Sequence, residues 1–151
     1  MPNSVSSAKQ ITWSYVIAAA ISLIGLGDAI YLTIQDLTGQ NLRCTIITGC
    51  AEVLGSKYAH IGSIPLATVG AVAYFTFFSL AILAAFDYSL ARPLLLILVA
   101  MMFLTALWLT YLQAFVIHHF CQYCLLSASV TTVLTAIAFW IQLTRRRKPN
   151  L

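Results

Sequence analysis

Four apolar runs, each long enough to cross a bilayer as a helix, leave this chain few ways to fold. They cover Ile11 to Ile34, Pro65 to Phe86, Pro93 to Ile117 and Cys124 to Leu143. A hydrocarbon core about 30 Å thick needs roughly 20 apolar helical residues to span it. The last three runs hold no Asp, Glu, Lys or Arg, and the first holds only Asp28, near its C-terminal end. Each run is continuously apolar rather than alternating with period two, which selects helices over a barrel. Pro65 and Pro93 open their runs, where a missing N–H costs nothing because it would have no partner in the first turn. Composition agrees: 61% of residues are apolar and 8% charged, against roughly 45–50% and about 25% in soluble domains. The expected fold is an all-α integral membrane protein. A four-transmembrane-helix bundle over residues 11–143 lies between a polar tail, 1–10, and a basic tail, 144–151, both read as disordered. The first run is too long for the core of a cleavable signal peptide and follows a single basic residue, Lys9, so it is expected to stay as a helix.

An even number of spans puts both termini on one side. That side carries Lys9, Arg92, Arg145, Arg146, Arg147 and Lys148, and the other carries Arg43 and Lys57. The excess of basic residues marks the cytoplasmic face, so both termini are expected in the cytoplasm. The run after the last span reads as an anchor against anionic headgroups, and nucleic acid is not an expected partner. All four cysteines, Cys44, Cys50, Cys121 and Cys124, then fall on the outer side, where disulfides form and persist. The first outer loop, of about 30 residues, is the long one, and Ala51 to Tyr58 within it is expected to form a short interfacial helix. Val53, Leu54 and Tyr58 would dip from it toward lipid or the bundle mouth, as a lid.

Cys121-Gln122-Tyr123-Cys124 is a C-x-x-C motif that opens the fourth span. Helix N-terminal N–H groups and the macrodipole favour an anion there, which lowers thiol pKa and yields a reactive thiolate. The two sulfurs can close a disulfide within one turn. Cys44 and Cys50 flank a short stretch ending in Gly49, flexible enough to bring their Cα atoms to the roughly 4.4–6.8 Å a disulfide needs. Four cysteines allow three pairings. A relay requires at least two of them to interconvert through mixed disulfides, which a mobile loop pair beside a pair at the membrane surface suits better than a static structural bridge.

Taken together, Cys44-x5-Cys50, the segment Ala51-Glu52-Val53-Leu54-Gly55-Ser56-Lys57-Tyr58, Gly62-Ser63-Ile64-Pro65 leading to Gly70, and Phe120-Cys121-Gln122-Tyr123-Cys124-Leu125 make the chain resemble the bacterial branch of the vitamin K epoxide reductase family over nearly all of residues 11–143. The resemblance implies a quinone, of ubiquinone or menaquinone type, held at the outer end of the bundle against the C-x-x-C. It implies a functional counterpart of DsbB in a bacterial inner membrane, one that oxidises a separate thioredoxin-like, DsbA-like protein on the outer side. By the same analogy Cys44 exchanges with that partner, Cys44–Cys50 and Cys121–Cys124 are the working disulfides, a transient Cys50–Cys121 bond links them, and Cys124 faces the quinone. Ser56 matches a position near the quinone. The chain departs from the animal vitamin K reductases in carrying Ala128 for Tyr and Leu66 for Asn, which argues against vitamin K epoxide as the natural substrate.

Several other residues are candidates on their chemistry. His118 and His119 precede the C-x-x-C and are placed to stabilise a thiolate or pass protons. Asp28 is an intramembrane carboxylate, costly and often functional. Trp108, Tyr111 and Phe115 recur along the third span and would either line a quinone pocket or pack helices. Gly25, Gly27 and Gly70 would permit close helix approach. Competing readings are reduction of quinone epoxides, a Cys/His metal site, and a membrane scaffold with purely structural disulfides; no metal is expected.

Overall fold

The computed structural model describes residues 2–39 and 49–147, with side chains from residue 8 onward. Helix α1 spans Pro2–Thr38, α2 Cys50–Leu54, α3 Leu66–Ala85, α4 Ala91–Leu112 and α5 Gln122–Arg147. Four of them are long and apolar enough to cross a membrane, over Ala8–Thr38, Leu66–Ala85, Ala91–Ile117 and Gln122–Arg147. Each coincides with an expected span to within a few residues. The residues read as a disordered N-terminal tail are instead the start of α1, which Pro2 opens at the position where proline is tolerated. At the other end α5 runs on through Arg145, Arg146 and Arg147, cations that the negative pole of the helix favours.

The four long helices form a closed ring in which α1 packs on α3 and α5, and α4 on α3 and α5. Small residues make this contact: Ala18, Ala19, Ala29, Ala81, Ala84, Ala91 and Ala138 are buried in one cluster with Tyr74, Phe77 and Leu134. Where lipid is the solvent, packing of small side chains replaces hydrophobic expulsion as the reason helices associate. Large side chains accordingly point outward, as with Phe75, Ile97, Leu104 and Phe139.

One polar cluster crosses the ring. Tyr74 on α3 makes hydrogen bonds through its hydroxyl with the Ser127 carbonyl at 2.9 Å, Ser127 Oγ at 2.8 Å and Thr131 Oγ1 at 2.8 Å, all on α5. Its ring lies directly against Gly25 of α1, where a Cβ would overlap it. Gly25 is thus a true close approach. Gly27 faces open space and Gly70 makes only an ordinary contact with Ala29, so the small-residue expectation holds at one of the three glycines.

The ends of the bundle differ. Between α3 and α4, Asp87 pairs with Arg92 and lies 3.6 Å from Arg145. Between α1 and α3, α2 stops at Gly55, shorter than the helix expected to reach Tyr58. It is followed by a small antiparallel hairpin, β1 (His60–Ile61) and β2 (Ile64–Pro65), absent from the sequence reading. Gly62, with φ +67°, supplies the first residue of its two-residue turn. His60 Nε2 meets Asp36 Oδ2 at 3.0 Å and ties the hairpin to the last turns of α1.

Gly25→Ala is expected to lower the thermal stability of the detergent-solubilised protein, because the new methyl group must displace the Tyr74 ring. Gly27→Ala, with free space, should be neutral or stabilising by roughly 0.5–1 kcal/mol through helix propensity. Equal losses in the two melting curves would refute the assigned helix approach.

Candidate functional site

Helix α4 does not end as a plain α-helix. Residues Gln113–Ile117 form a π-helical turn that closes on His118 in the left-handed conformation, φ 56°. The widened turn keeps Gln113 buried, with its Oε1 accepting a hydrogen bond from the backbone N–H of Cys121 at 3.0 Å. Gln113 escaped the sequence reading, since a polar residue near the end of an apolar run gives no sign of its direction.

Cys121 stands at the N-cap of α5: its carbonyl accepts from Leu125 N–H at 3.0 Å, closing the first turn. Its sulfur lies within reach of three donors. The Cys124 thiol donates to it, as do the backbone N–H groups of Cys124 and Tyr123. The Cys124 thiol does most to pull the Cys121 pKa down to about 7, with the two backbone donors adding to it and burial opposing. Thiolate stabilisation at this helix end, expected for the motif as a whole, falls on Cys121, because the cap position has its side chain turned back over the exposed N–H groups.

The two motif cysteines, both free thiols here, face different surroundings. Cys121 is completely buried in a cluster with Cys50 and Val53, flanked by Leu54, Ile117 and Tyr123. Cys124 lies on the wall of a cavity of about 360 Å³ inside the bundle. Cys50 is held in a disulfide; Cys44, and with it the expected Cys44–Cys50 pairing, lies outside the described residues. What brings the loop to the motif is Gly49. With φ +157°, it lies against the carbonyl of Phe120 and the Cβ of His119, and a side chain there would come within 2.9 Å of that carbonyl. Tyr31 of α1 packs on Tyr123, ring centroids 5.3 Å apart, from the other side.

The cavity is bounded by α1, α3, α4 and α5 and roofed by Val53, Leu54, Ser56, Tyr58 and Ala59. The loop segment thus covers the bundle mouth, as its apolar residues implied. Ser56 is on the wall as expected, although its hydroxyl donates to the Val53 carbonyl at 2.7 Å. Leu66 and Ala128 also line it, as do Met101, Met102 and Leu109. Asp28 reaches it from α1, 8% exposed, and its Oδ2 has no hydrogen-bond partner among the described residues. Volume and lining suit the head of a flat, largely apolar ring, and the unsatisfied carboxyl oxygen suits a ring bearing polar atoms at its edge.

Other expected residues lie elsewhere. Trp108, Tyr111 and Phe115 are 60%, 51% and 66% exposed and stack on one another along the outside of α4. They neither line the cavity nor pack the ring. Their spacing marks one helix face, but where lipid is as apolar as a core, a shared face does not say which way it points. His118 and His119 are exposed in the turn before Cys121, and His119 approaches the loop at Gly49. Among the described residues no three His, Cys, Asp or Glu side chains converge as a metal site requires.

A dithiol set between a second disulfide and an intramembrane cavity defines a membrane-embedded thiol redox protein. The model of the vitamin K epoxide reductase family matches residues 16–139, and the chain belongs to that family. It is accordingly a multi-pass membrane oxidoreductase that couples thiols to a quinone or its epoxide.

In a fully reduced chain carrying Cys44→Ser and Cys50→Ser, ultraviolet thiolate absorbance should rise with a first midpoint near pH 7. Adding Cys124→Ala removes the main donor to the Cys121 sulfur, so the midpoint should move up toward the ordinary thiol value of about 8.5. At pH 7 Cys121 would pass from about half thiolate to a small fraction. An unmoved midpoint would show that Cys124 does not stabilise the thiolate.

Proposed function

We propose that this protein oxidises a thioredoxin-like partner on the outer face of a bacterial cell membrane and reduces a membrane quinone, so supporting disulfide formation. One observation carries this: Cys50, Cys121 and Cys124 follow one another from the loop, through a buried contact, to the cavity wall. That order is what a two-electron relay needs.

In the proposed sequence a partner thiolate attacks Cys44 and displaces Cys50 as thiolate. Cys50 attacks Cys121 of the Cys121–Cys124 disulfide and frees Cys124. The partner's second thiolate attacks its own sulfur in the mixed disulfide with Cys44, leaving oxidised. Cys44 then attacks Cys50, closing the loop disulfide again and releasing Cys121. The result is an oxidised loop beside a reduced motif pair, which is consistent with free Cys121 and Cys124 and a disulfide-bonded Cys50. Cys121, as thiolate, accepts the proton of the Cys124 thiol along the bond between them, which arms Cys124 toward the cavity. Closure of the Cys121–Cys124 bond gives up two electrons and the one proton the pair holds, and the second proton of the quinol comes from the outer water, into which the partner's thiols released theirs. The quinone supplies the electron sink, and the chain supplies position.

Reduction of a quinone epoxide is less well supported. Leu66 and Ala128 put two alkyl groups on the cavity wall where the animal vitamin K reductases carry an amide and a phenol. The orientation proposed, termini in the cytoplasm, accords with the basic cluster of Arg92 and Arg145 at the end away from the cysteines.

Purified protein given a reduced thioredoxin-like partner and a short-chain ubiquinone or a naphthoquinone is expected to form quinol. Cys121→Ser and Cys124→Ser should each abolish it. Gly49→Ala, which forces the loop off the Phe120 carbonyl, should slow transfer between the pairs by roughly 10–100-fold, the usual penalty for a small misplacement of reacting groups. Quinol formation that survives replacement of all four cysteines by serine would end the proposal.

A further inference from the structure

Electrons reach the cavity from one wall, at Cys124, whereas a quinone must be protonated on two oxygens at opposite edges of its ring. A second proton donor is needed; the cavity hydroxyls carried by the long helices and by Ser56 are committed, and Tyr58 lies exposed on the roof. Tyr74 is bonded to Ser127 and Thr131, Ser56 to the Val53 carbonyl, and Thr105 and Thr110 to carbonyls of their own helix. Asp28 is different. It is the carboxyl on the cavity wall, more than nine-tenths buried, and its Oδ2 is without a donor or a cation among the described residues. Burial of such an oxygen costs free energy unless something fills its hydrogen-bonding capacity, and the space before it is the ligand's.

We propose that Asp28 is a catalytic proton carrier: its carboxyl bonds one of the two quinone oxygens and protonates it as the electrons arrive. This rests on the quinone-reducing reading given above. The balance closes with one proton from water. When the motif pair, one thiol and one thiolate, becomes a disulfide it releases two electrons and one proton; the ring takes both electrons, and that proton goes to one of its oxygens. Asp28 gives its own proton to the other oxygen and is reloaded from the outer water, where the partner's thiols released theirs on ionising, so the carboxyl is unchanged over a cycle.

The test is made on the full-length protein in detergent with a short-chain ubiquinone, following quinol formation and, separately, reduction of the loop disulfide by a dithiol. Asp28→Asn and Asp28→Ser, two different packings without a carboxyl, should each lower kcat for quinol formation by roughly 100-fold, the low end of what positioned acid–base groups contribute. The KM for quinone in the Asn variant should stay within about threefold, since the amide keeps a hydrogen bond, and loop-disulfide reduction should remain at the wild-type rate in both. Asp28→Glu should restore most of kcat. Wild-type kcat in either carboxyl-free variant, a rise in KM with kcat unchanged, or failure of Glu to rescue would each overturn the role of Asp28 while leaving quinone reduction standing. Absence of quinol from the wild-type protein, with loop-disulfide reduction intact, would instead overturn the quinone reading and this proposal with it.

Discussion

The sulfur of Cys121 occupies the place at the start of α5 that an oxygen of Ser, Thr, Asp or Asn holds in most helices, and from there it sets the geometry of everything around it. A cap must turn its side chain back over the first N–H groups, so the sulfur points away from the cavity and toward Cys50. Its own N–H is then left without a helical partner and is taken up by Gln113. That bond in turn asks for the π-helical turn, which swings Gln113 under the motif where a regular helix would carry it past. Cys124, three residues further along the same turn, is left on the side that faces the cavity. A single capping geometry thus separates the two sulfurs into one that meets the loop and one that meets the ligand.

The bilayer explains why such a site can exist in so small a protein. A chain of this length in water would have to spend most of its large side chains on a core. In lipid many of those side chains face outward, and the interior is shared between alanines and a limited set of large residues such as Tyr74, Phe77, Leu95 and Leu134. A ring of helices held by small residues at one end and propped by Tyr74 across the middle encloses a void at the other. Of the four buried polar side chains among the described residues, three line that void, Asp28, Gln113 and Thr131, with Ser127 beside them. Polar atoms inside a membrane are expensive, so their concentration at one place is itself a sign of where the ligand goes.

Much of this was legible in the sequence, and what was not has physical causes. The spans follow from length and hydropathy alone, because the bilayer sets a threshold that no soluble helix needs to meet. The cysteine positions followed from their sequence spacing and the alternation of the helices. Direction around a helix axis was not legible. Trp108, Tyr111 and Phe115 were expected to line a quinone pocket or to pack helices, and they lie outside; Gln113 gave no signal and lies inside. Both errors have one origin, since hydropathy separates core from surface only when the surface is wet. The hairpin at His60–Pro65 was hidden for another reason: two residues per strand are too few to show alternation, and only the Gly62-Ser63 turn hinted at it. Which cysteine would carry the helix-end stabilisation depended on a cap boundary one residue away from the other choice, finer than any boundary that can be read from sequence.

Two attachments of the cavity roof, among the described residues, belong to different helices. Gly49 is seated on the carbonyl just before Cys121, at the entrance to α5, whereas His60 is bonded to Asp36 in the last turns of α1. Between them lie Cys50, α2 and every roofing residue. Because α1 and α5 also pack directly on one another, the distance between the two attachments is set by the bundle and not by the loop. A shift that parted the two helices at this end would lift the roof and draw Cys50 away from Cys121 in the same motion. Closure over the ligand and contact between the sulfur pairs are therefore not independent properties of this fold: the segment that keeps water from the cavity is the one that carries the incoming thiol chemistry to its edge.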